Sequence, residues 1–321
     1  MVGRRAFRCR TCSVIAFALT ACLSAALVMI GSSQRAFAQS AAPGTGKHFE
    51  RVLIIVLENQ NYASAMGNDY LKDLAKEGAA FTNFKGVYHP SYPNYLAMIA
   101  GSSFGMRSDR QQTFPDDGQH RTIGDLLDWR NYAENYPSSP TAKQPFLGNA
   151  KGKYARKHVP FLSFRKIQLQ SFRNVVAVDT KDPHNAFVTD VEMFRRDPKT
   201  YPLPRYMFYT PNLDDDGHDP IFNHRKGLET ASLWLKTFFK TWFPRDEKMK
   251  GTLVVVTFDE SEDDDRDDRI YTVFLGDMVK PGVVSKPYDH YSVLRTIEDN
   301  FGLPPLNSGD GQAQPITGIW K

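Results

Sequence analysis

Two apolar runs in this chain each end in adjacent polar side chains that could bind a cation. "VLIIVL" leads into Glu58 and Asn59, and "LVVVTF" leads into Asp259 and Glu260. Each pair alone is typical of the start of a loop. If both runs are parallel strands of one sheet, however, their carboxyl ends lie on the same edge, where open α/β sheets bind ligands. Three carboxylates and an amide oxygen brought together there indicate a divalent metal site.

A candidate nucleophile lies in the segment "YHPSYPNY". Ser91 follows a predicted strand and precedes Pro93, which favours the first turn of a helix. Serine often caps such a helix. A hydroxyl at a helix N-terminus also lies where backbone amides attract phosphate, and beside a divalent metal it could ionise and attack phosphorus. From position alone, a capping role and a nucleophilic role both stay open.

Three histidines near predicted strand or helix ends are candidate ligands. His158 lies in "RKHVPF", His218 is followed by Asp219 in "DDDGHD", and His290 lies in "DHYSVL". A lone histidine is more often a structural residue than a functional one. Each of the three is therefore ambiguous when taken by itself.

The pattern of the whole chain predicts the elements that would position these side chains. Apolar strands alternate with amphipathic helices, which indicates an α/β fold with three layers, a mostly parallel central sheet and helices on both faces. We expect a catalytic domain over residues 49–305 and a C-terminal tail over 306–321. The segment "TIGDLLDWR" predicts a helix, and residues 131–165, which show no periodicity, predict a lid or rim near the site.

The first 38 residues have the features of a signal peptide. Arginines precede an apolar stretch that ends in an A-x-A site, and "GRRAF" resembles a twin-arginine signal. We therefore expect export to the periplasm or medium, a flexible lead-in over residues 39–48, and no transmembrane segment after cleavage. The cysteines of the chain, Cys9, Cys12 and Cys22, all lie in this segment. After its cleavage we therefore expect neither thiolate ligands nor disulfides.

The charge balance gives no indication of nucleic-acid binding. The chain has 40 basic and 36 acidic residues, but five arginines and no acids fall in the first 38 residues. The remaining chain therefore carries 35 basic and 36 acidic side chains. It also has no basic stripe with interleaved aromatic residues, so we expect no nucleic-acid partner.

Several motifs in order resemble the bacterial phosphoesterase family of acid phosphatases and phospholipases C, in the alkaline-phosphatase-like superfamily. They are "LENQNY", "HPSYPNYLAMIAG", "YARKHVPF", "TPNLDDDGHD", "VVVTFDES" and "HYSVLRTIEDNFGL". The resemblance implies a divalent metal cofactor, a phosphate-ester substrate and Ser91 as a nucleophile that forms a phosphoenzyme. It implies the metal ligands Glu58, Asn59, Asp259 and Glu260, with Asp219 as a further ligand. It also implies phosphate binding or proton donation by His158, His218 and His290.

The alternatives differ in substrate and in class. The chain lacks the large carboxyl-terminal region of many phospholipases C and has "SEDDDRDD" after its acidic pair, so a monoesterase is favoured over a phospholipase C-type phosphodiesterase. "GSSFG" fits the nucleophile elbow of a serine carboxylesterase acting through Ser103. That elbow requires a strand before it and a helix after it, and here the order is reversed. A non-catalytic exported binding protein is the remaining alternative.

Overall fold

The central sheet is parallel except around one strand. The computed structural model describes residues 45–138, 141–218, 227–262 and 267–321. Within them the strands are β1 Arg51–Leu57, β2 Ala79–Phe81, β3 Phe84–Lys85, β4 Trp129–Glu134, β5 Ala150–Lys151, β6 Tyr154–Ala155, β7 Val175–Val178, β8 Tyr206–Thr210, β9 Thr252–Phe258, β10 Thr272–Leu275, β11 Gly282–Val284 and β12 Tyr288–Asp289. Eight of these form one sheet in the order β11-β2-β10-β9-β1-β8-β4-β7. Only β10, among the described strands of this sheet, pairs antiparallel with its neighbours.

Helices surround this sheet, as the alternating pattern predicts. The α-helices in the described residues are α1 Tyr62–Gly67, α2 Asp69–Lys76, α3 Ser91–Ala100, α4 Arg165–Gln170, α5 Ala186–Arg196, α6 Gly227–Thr237, α7 His290–Phe301 and α8 Ser308–Gln312. A π-helical turn, Phe238–Trp242, continues α6. In the part of the chain that the structure describes, no helix is long and apolar enough to cross a membrane. The prediction of an α/β fold with a mostly parallel sheet is confirmed.

The two apolar runs are neighbouring parallel strands at the centre of the sheet. β1 and β9 pair along their whole length, and the last pair is Leu57 with Phe258. Every residue of both strands is buried. This burial is expected of strands that are covered on both faces of the sheet, and it explains their mostly apolar sequences. The pairs Glu58-Asn59 and Asp259-Glu260 therefore leave the sheet side by side at one edge.

Two predictions around residue 130 are wrong. The predicted helix in "TIGDLLDWR" is only a 3₁₀ turn, Ile123–Asp125, with a capping box between Thr122 and Asp125 at its start. Trp129 then begins strand β4, which pairs with β8 and β7. The first residues of the predicted lid, 131–134, therefore belong to the central sheet, since tertiary pairing outweighs local helical preference.

Both described ends of the chain pack against the body of the protein. In residues 45–48, the described part of the predicted lead-in, His48 stacks on Trp320 with ring centroids 4.8 Å apart. The predicted tail, 306–321, buries Asp310, Ile316 and Ile319. The predicted signal peptide lies outside the described residues.

Candidate active site

The ends of β1 and β9 form one cluster of buried polar side chains. The Asn59 N–H donates to Asp259 Oδ1 at 3.2 Å, and Asn59 Nδ2 donates to Glu260 Oε1 at 3.1 Å. Glu58, Asp259 and Glu260 are each at most 1% exposed. The structure thus brings together the four residues that the sequence placed at two strand ends about 200 positions apart.

Ser91 lies in the middle of this cluster. It is the first residue of α3, whose N-cap is Pro90, so Ser91 does not occupy the capping position. Its hydroxyl is hydrogen-bonded to Glu260 Oε1 at 2.9 Å, and it lies 3.2 Å from Glu58 Oε2 and 3.4 Å from Asn59 Oδ1. The Ser91 side chain is therefore directed at the carboxylates.

Two side chains of α3 fix the position of this serine. Asn94 Oδ1 accepts hydrogen bonds from the N–H groups of Val87 and Tyr88 in the preceding loop. Tyr95 lies four residues after Ser91, on the same face of the helix, and its hydroxyl donates to Glu58 Oε1 at 2.6 Å. The helix is thereby attached to the end of β1.

Lys157 is a cation inside the cluster that the sequence analysis did not single out. Its Nζ lies 3.0 Å from Ser91 Oγ, 3.1 Å from Glu58 Oε2 and 3.3 Å from Asp109 Oδ2. It comes from the 3₁₀ turn Arg156–His158. Its only signal in the sequence is its place in the motif "YARKHVPF", directly before His158. Asp109 lies in an irregular loop and gave no signal in the sequence.

The carboxylates at the two strand ends have opposite pKa shifts. Burial by itself would raise the pKa of Glu58, but the neighbouring charges of His158 and Lys157 lower it well below its ordinary value. Burial, followed by the charges of Glu58 and Glu260, raises the pKa of Asp259 well above its ordinary value. Burial also raises the pKa of Glu260 to about 7, against the opposing effect of His89.

The predicted histidines occupy three different environments. His158 is buried, and its Nε2 lies 3.0 Å from Glu58 Oε1. His290, the first residue of α7, directs Nε2 at the backbone carbonyl of Asp259 at 2.6 Å, and burial lowers its pKa. His218 is exposed in the loop after β8. Asp219, the further predicted ligand, lies outside the described residues.

A histidine missed by the sequence analysis also contacts the cluster. His89 lies two residues before the serine, in the quoted segment "YHPSYPNY". Its Nδ1 is 2.6 Å from Glu260 Oε2, and its Nε2 is 3.2 Å from Asp268 Oδ1. The end of β9 therefore has a histidine neighbour, and the end of β1 has a lysine and a histidine.

The donor atoms suit a hard divalent cation. Asp259 Oδ2 is buried and has no hydrogen-bond partner among the described residues, and oxygens of Glu58, Asn59 and Glu260 surround the serine hydroxyl. Oxygen-only sets are typical of Mg²⁺, Ca²⁺ and Mn²⁺. Within the described ranges, no three His, Cys, Asp or Glu side chains already stand in a ligand arrangement. A cation bound here would share the carboxylates with Lys157.

Ser103 has none of the surroundings of an esterase nucleophile. It is 4% exposed, and its Oγ accepts a hydrogen bond from Arg107 Nη1 at 3.0 Å. It lies after α3 in a loop, as the sequence indicated. Among the described residues, its other side-chain partner is Tyr88, and no hydrogen bond from a histidine to this hydroxyl is seen.

The chain is similar in sequence to known phosphatases. A "Probable acid phosphatase" of Kluyveromyces lactis is 34% identical over 282 residues, which is 84% of this chain and 62% of that protein. A "Phosphatidylinositol-3-phosphatase" of Mycobacterium tuberculosis is 33% identical over 282 residues, 85% of this chain and 83% of that protein. The chain thus spans less than two thirds of the length of the Kluyveromyces relative.

The fold is similar to that of a solved protein in the alkaline phosphatase superfamily from Vibrio parahaemolyticus. The TM-score is 0.55 at 13% identity, over 86% of this chain and 72% of the other. Residues 68–304 match the sequence pattern of the phosphoesterase family. That match includes Ser91, Lys157 and the end of β9, and the chain belongs to the phosphoesterase family.

Proposed function

We propose that this protein hydrolyses phosphate monoesters with a divalent metal and a phosphoserine intermediate on Ser91. The observation that carries the proposal is the position of its hydroxyl, which is 2% exposed and lies within 3.4 Å of Glu58, Asn59 and Glu260. Family membership and relatives named acid phosphatases support phosphate esters as the substrate class.

The chemistry assigned to this chain's residues is a displacement at phosphorus. Ser91 Oγ forms a bond to phosphorus while the bond from phosphorus to the ester oxygen breaks, and that oxygen leaves as an alkoxide that takes a proton from solvent water. The serine proton passes to Glu260 Oε1, the nearest carboxylate oxygen at 2.9 Å. The ammonium of Lys157 lies 3.0 Å from Ser91 Oγ. It stabilises negative charge on this serine oxygen and on the phosphoryl group. Water then cleaves the phosphoserine and releases phosphate.

The metal would be held by the oxygens of Glu58, Asn59, Asp259 and Glu260. When bound, it would neutralise phosphoryl oxygens and lower the pKa of the serine hydroxyl. Its charge would also offset the burial and the charges of Glu58 and Glu260, which together raise the pKa of Asp259.

Three substrates and a chelator test this proposal. We expect the protein to cleave p-nitrophenyl phosphate well and bis(p-nitrophenyl) phosphate weakly, and to leave p-nitrophenyl acetate intact. Dialysis against EDTA should abolish the phosphatase activity, and Mg²⁺, Ca²⁺, Mn²⁺ and Zn²⁺ added back singly should identify the ion. Activity that survives complete metal removal would contradict the metal requirement, and cleavage of the acetate alone would point to an esterase.

The proposal also places the enzyme outside the cytoplasm. Its support is the arginine-rich start of residues 1–38, the apolar stretch after it and the A-x-A site at its end. Fractionation of cells that express the full chain, with N-terminal sequencing of the product, tests it. We expect the exported form to begin just after Ala38.

A further inference from the structure

The N-terminus of α3 offers unusually few free backbone donors. The first four N–H groups of an α-helix have no partner inside the helix. In α3 the N-cap is Pro90 and the third helical residue is Pro93, and proline has no N–H. The donors that remain in this first turn are the amides of Ser91 and Tyr92.

A carboxylate of the protein itself occupies one of these two amides. Asp109 Oδ1 accepts the Tyr92 N–H at 2.9 Å. The other oxygen, Oδ2, lies 3.3 Å from Lys157 Nζ, and that ammonium is 3.0 Å from Ser91 Oγ. Asp109 thus places an anion between the helix N-terminus and the lysine, directly beside the proposed nucleophile.

A phosphoryl group attacked by Ser91 needs the same donors. The reacting phosphorus must come within about 3–3.5 Å of Oγ, so its nonbridging oxygens fall close to Lys157 and the first turn of α3. Helix N-termini and lysines are the groups that bind phosphate. From this overlap we propose that Asp109 is an internal competitor of the substrate, and that its carboxylate leaves the Tyr92 amide and Lys157 when a phosphoryl group binds.

The surroundings of Asp109 allow this movement. Its side chain is 42% exposed, whereas the serine beside it is almost fully buried. The irregular segment that carries it is anchored by two buried side chains, Met106 and Phe114. Residues 107–113 between these anchors are exposed or half-buried. The carboxylate can therefore turn towards water without opening the core.

The inference rests on the proposed function for the location of the phosphoryl group. A different role for Asp109 is to hold Lys157 in place through their ion pair. The two roles predict opposite results, because loss of a competitor strengthens phosphate binding, whereas loss of a positioning contact weakens it. Like charges brought together oppose binding, so neutralising Asp109 also removes repulsion of the phosphate dianion.

Binding of inorganic phosphate, measured by calorimetry, tests the proposal. The variants are Asp109→Ala, which removes the carboxylate, and Asp109→Asn, which keeps an acceptor for the Tyr92 amide but removes the charge. Asp116→Asn, at an exposed position of the following segment, is the matched control. Each is made in the wild type and in a Ser91→Ala background, where binding is measured without turnover.

We expect the Kd for phosphate to fall at least about fivefold in Asp109→Ala, less in Asp109→Asn and not at all in Asp116→Asn. In the active background the KM for p-nitrophenyl phosphate should fall by a similar factor, with a smaller change in kcat. An unchanged or raised Kd in Asp109→Ala would overturn the proposal. Tighter phosphate binding in a protein that hydrolyses no phosphate ester would support the role of Asp109 and refute the proposed function.

Discussion

The ends of β1 and β9 are alike in sequence, but the pKa values of Glu58 and Asp259 are shifted in opposite directions. Both strands are buried and end at the same edge of the sheet. β1 is followed by an acid and an amide, and β9 is followed by two acids. Lys157 and His158 lower the pKa of Glu58 well below its ordinary value. Burial and neighbouring acids raise the pKa of Asp259 well above its own. The difference arises because Lys157 and His158 both contact Glu58, whereas the charges of Glu58 and Glu260 act on Asp259.

This comparison shows that a strand end by itself does not fix the chemistry of its carboxylate. The lysine beside Glu58 comes from a turn 99 residues further along the chain. Asp259 is instead surrounded by acids and by the ring of His290, which contacts its backbone carbonyl. The charge of Glu58 is therefore compensated within the protein, whereas the carboxyl group of Asp259 could bind an added cation.

The largest expected effect is that of Ser91→Ala, which tests whether the two strand ends act on one hydroxyl. Removal of the nucleophile should lower kcat for p-nitrophenyl phosphate at least about a thousandfold and abolish phosphoenzyme formation. The fold should survive, because Ser91 does not cap α3. Steady-state kinetics, circular dichroism and mass spectrometry of quenched enzyme measure the three quantities.

Ser103→Ala is the matched control for this prediction. Ser103 is also buried, but its hydroxyl contacts Arg107 and not a carboxylate. We expect its turnover to stay within about twofold of the wild type, as for a change away from the reacting atoms. A folded Ser91→Ala protein with substantial activity, together with an inactive Ser103→Ala protein, would move the active site to Ser103.

A smaller effect is expected from Lys157→Met, which makes the end of β1 resemble the end of β9. Loss of a donor beside the serine should lower kcat about a hundredfold. The free energy of unfolding should fall by on the order of 2 kcal/mol, because the buried Glu58 loses its ion pair with Lys157. Enzyme kinetics and urea unfolding measure the two effects.

Lys153→Met provides the control for the lysine variant. Lys153 lies four residues earlier, is 55% exposed and pairs with Asp214, so kinetics and stability should change little. Wild-type kcat in Lys157→Met would show that the contact with Ser91 has no catalytic role.

The smallest expected effect concerns Glu298, a buried carboxyl outside the two strand ends. Burial, followed by the neighbouring acid Asp310, raises its pKa to about 9. The folded state then binds a proton that the unfolded state loses near pH 4.5, so stability declines as the pH rises from about 5 to 9. Glu298→Gln stays neutral and should flatten this decline, by on the order of 2 kcal/mol at pH 9.

Urea unfolding at pH 5, 7 and 9 measures the effect, with Glu247→Gln, at a side chain 83% exposed, as the control. The difference between Glu298→Gln and wild type should be close to zero at pH 5 and grow with pH. Parallel stability curves would show that burial and Asp310 do not raise the pKa of Glu298.

Much of the fold and the centre of the site follow from local patterns. Uninterrupted aliphatic runs predicted β1 and β9, since only strands covered on both faces require them. Their parallel pairing then brought Glu58 and Asp259 to one edge. The position of Ser91 at the start of α3 was likewise readable from Pro93, because proline fits the first helical turn.

Tertiary contacts decided what local patterns could not. Trp129 begins a strand because β8 lies beside it, although its flanking residues favour a helix. Lys157 contacts both Ser91 and Asp109, although the three residues lie in separate parts of the chain. No spacing in the sequence predicts these contacts. The sequence by itself determined which side chains could react, because periodicity and strand ends are local. The tertiary structure decided their charge states, because a pKa depends on burial and on charges brought close only by folding.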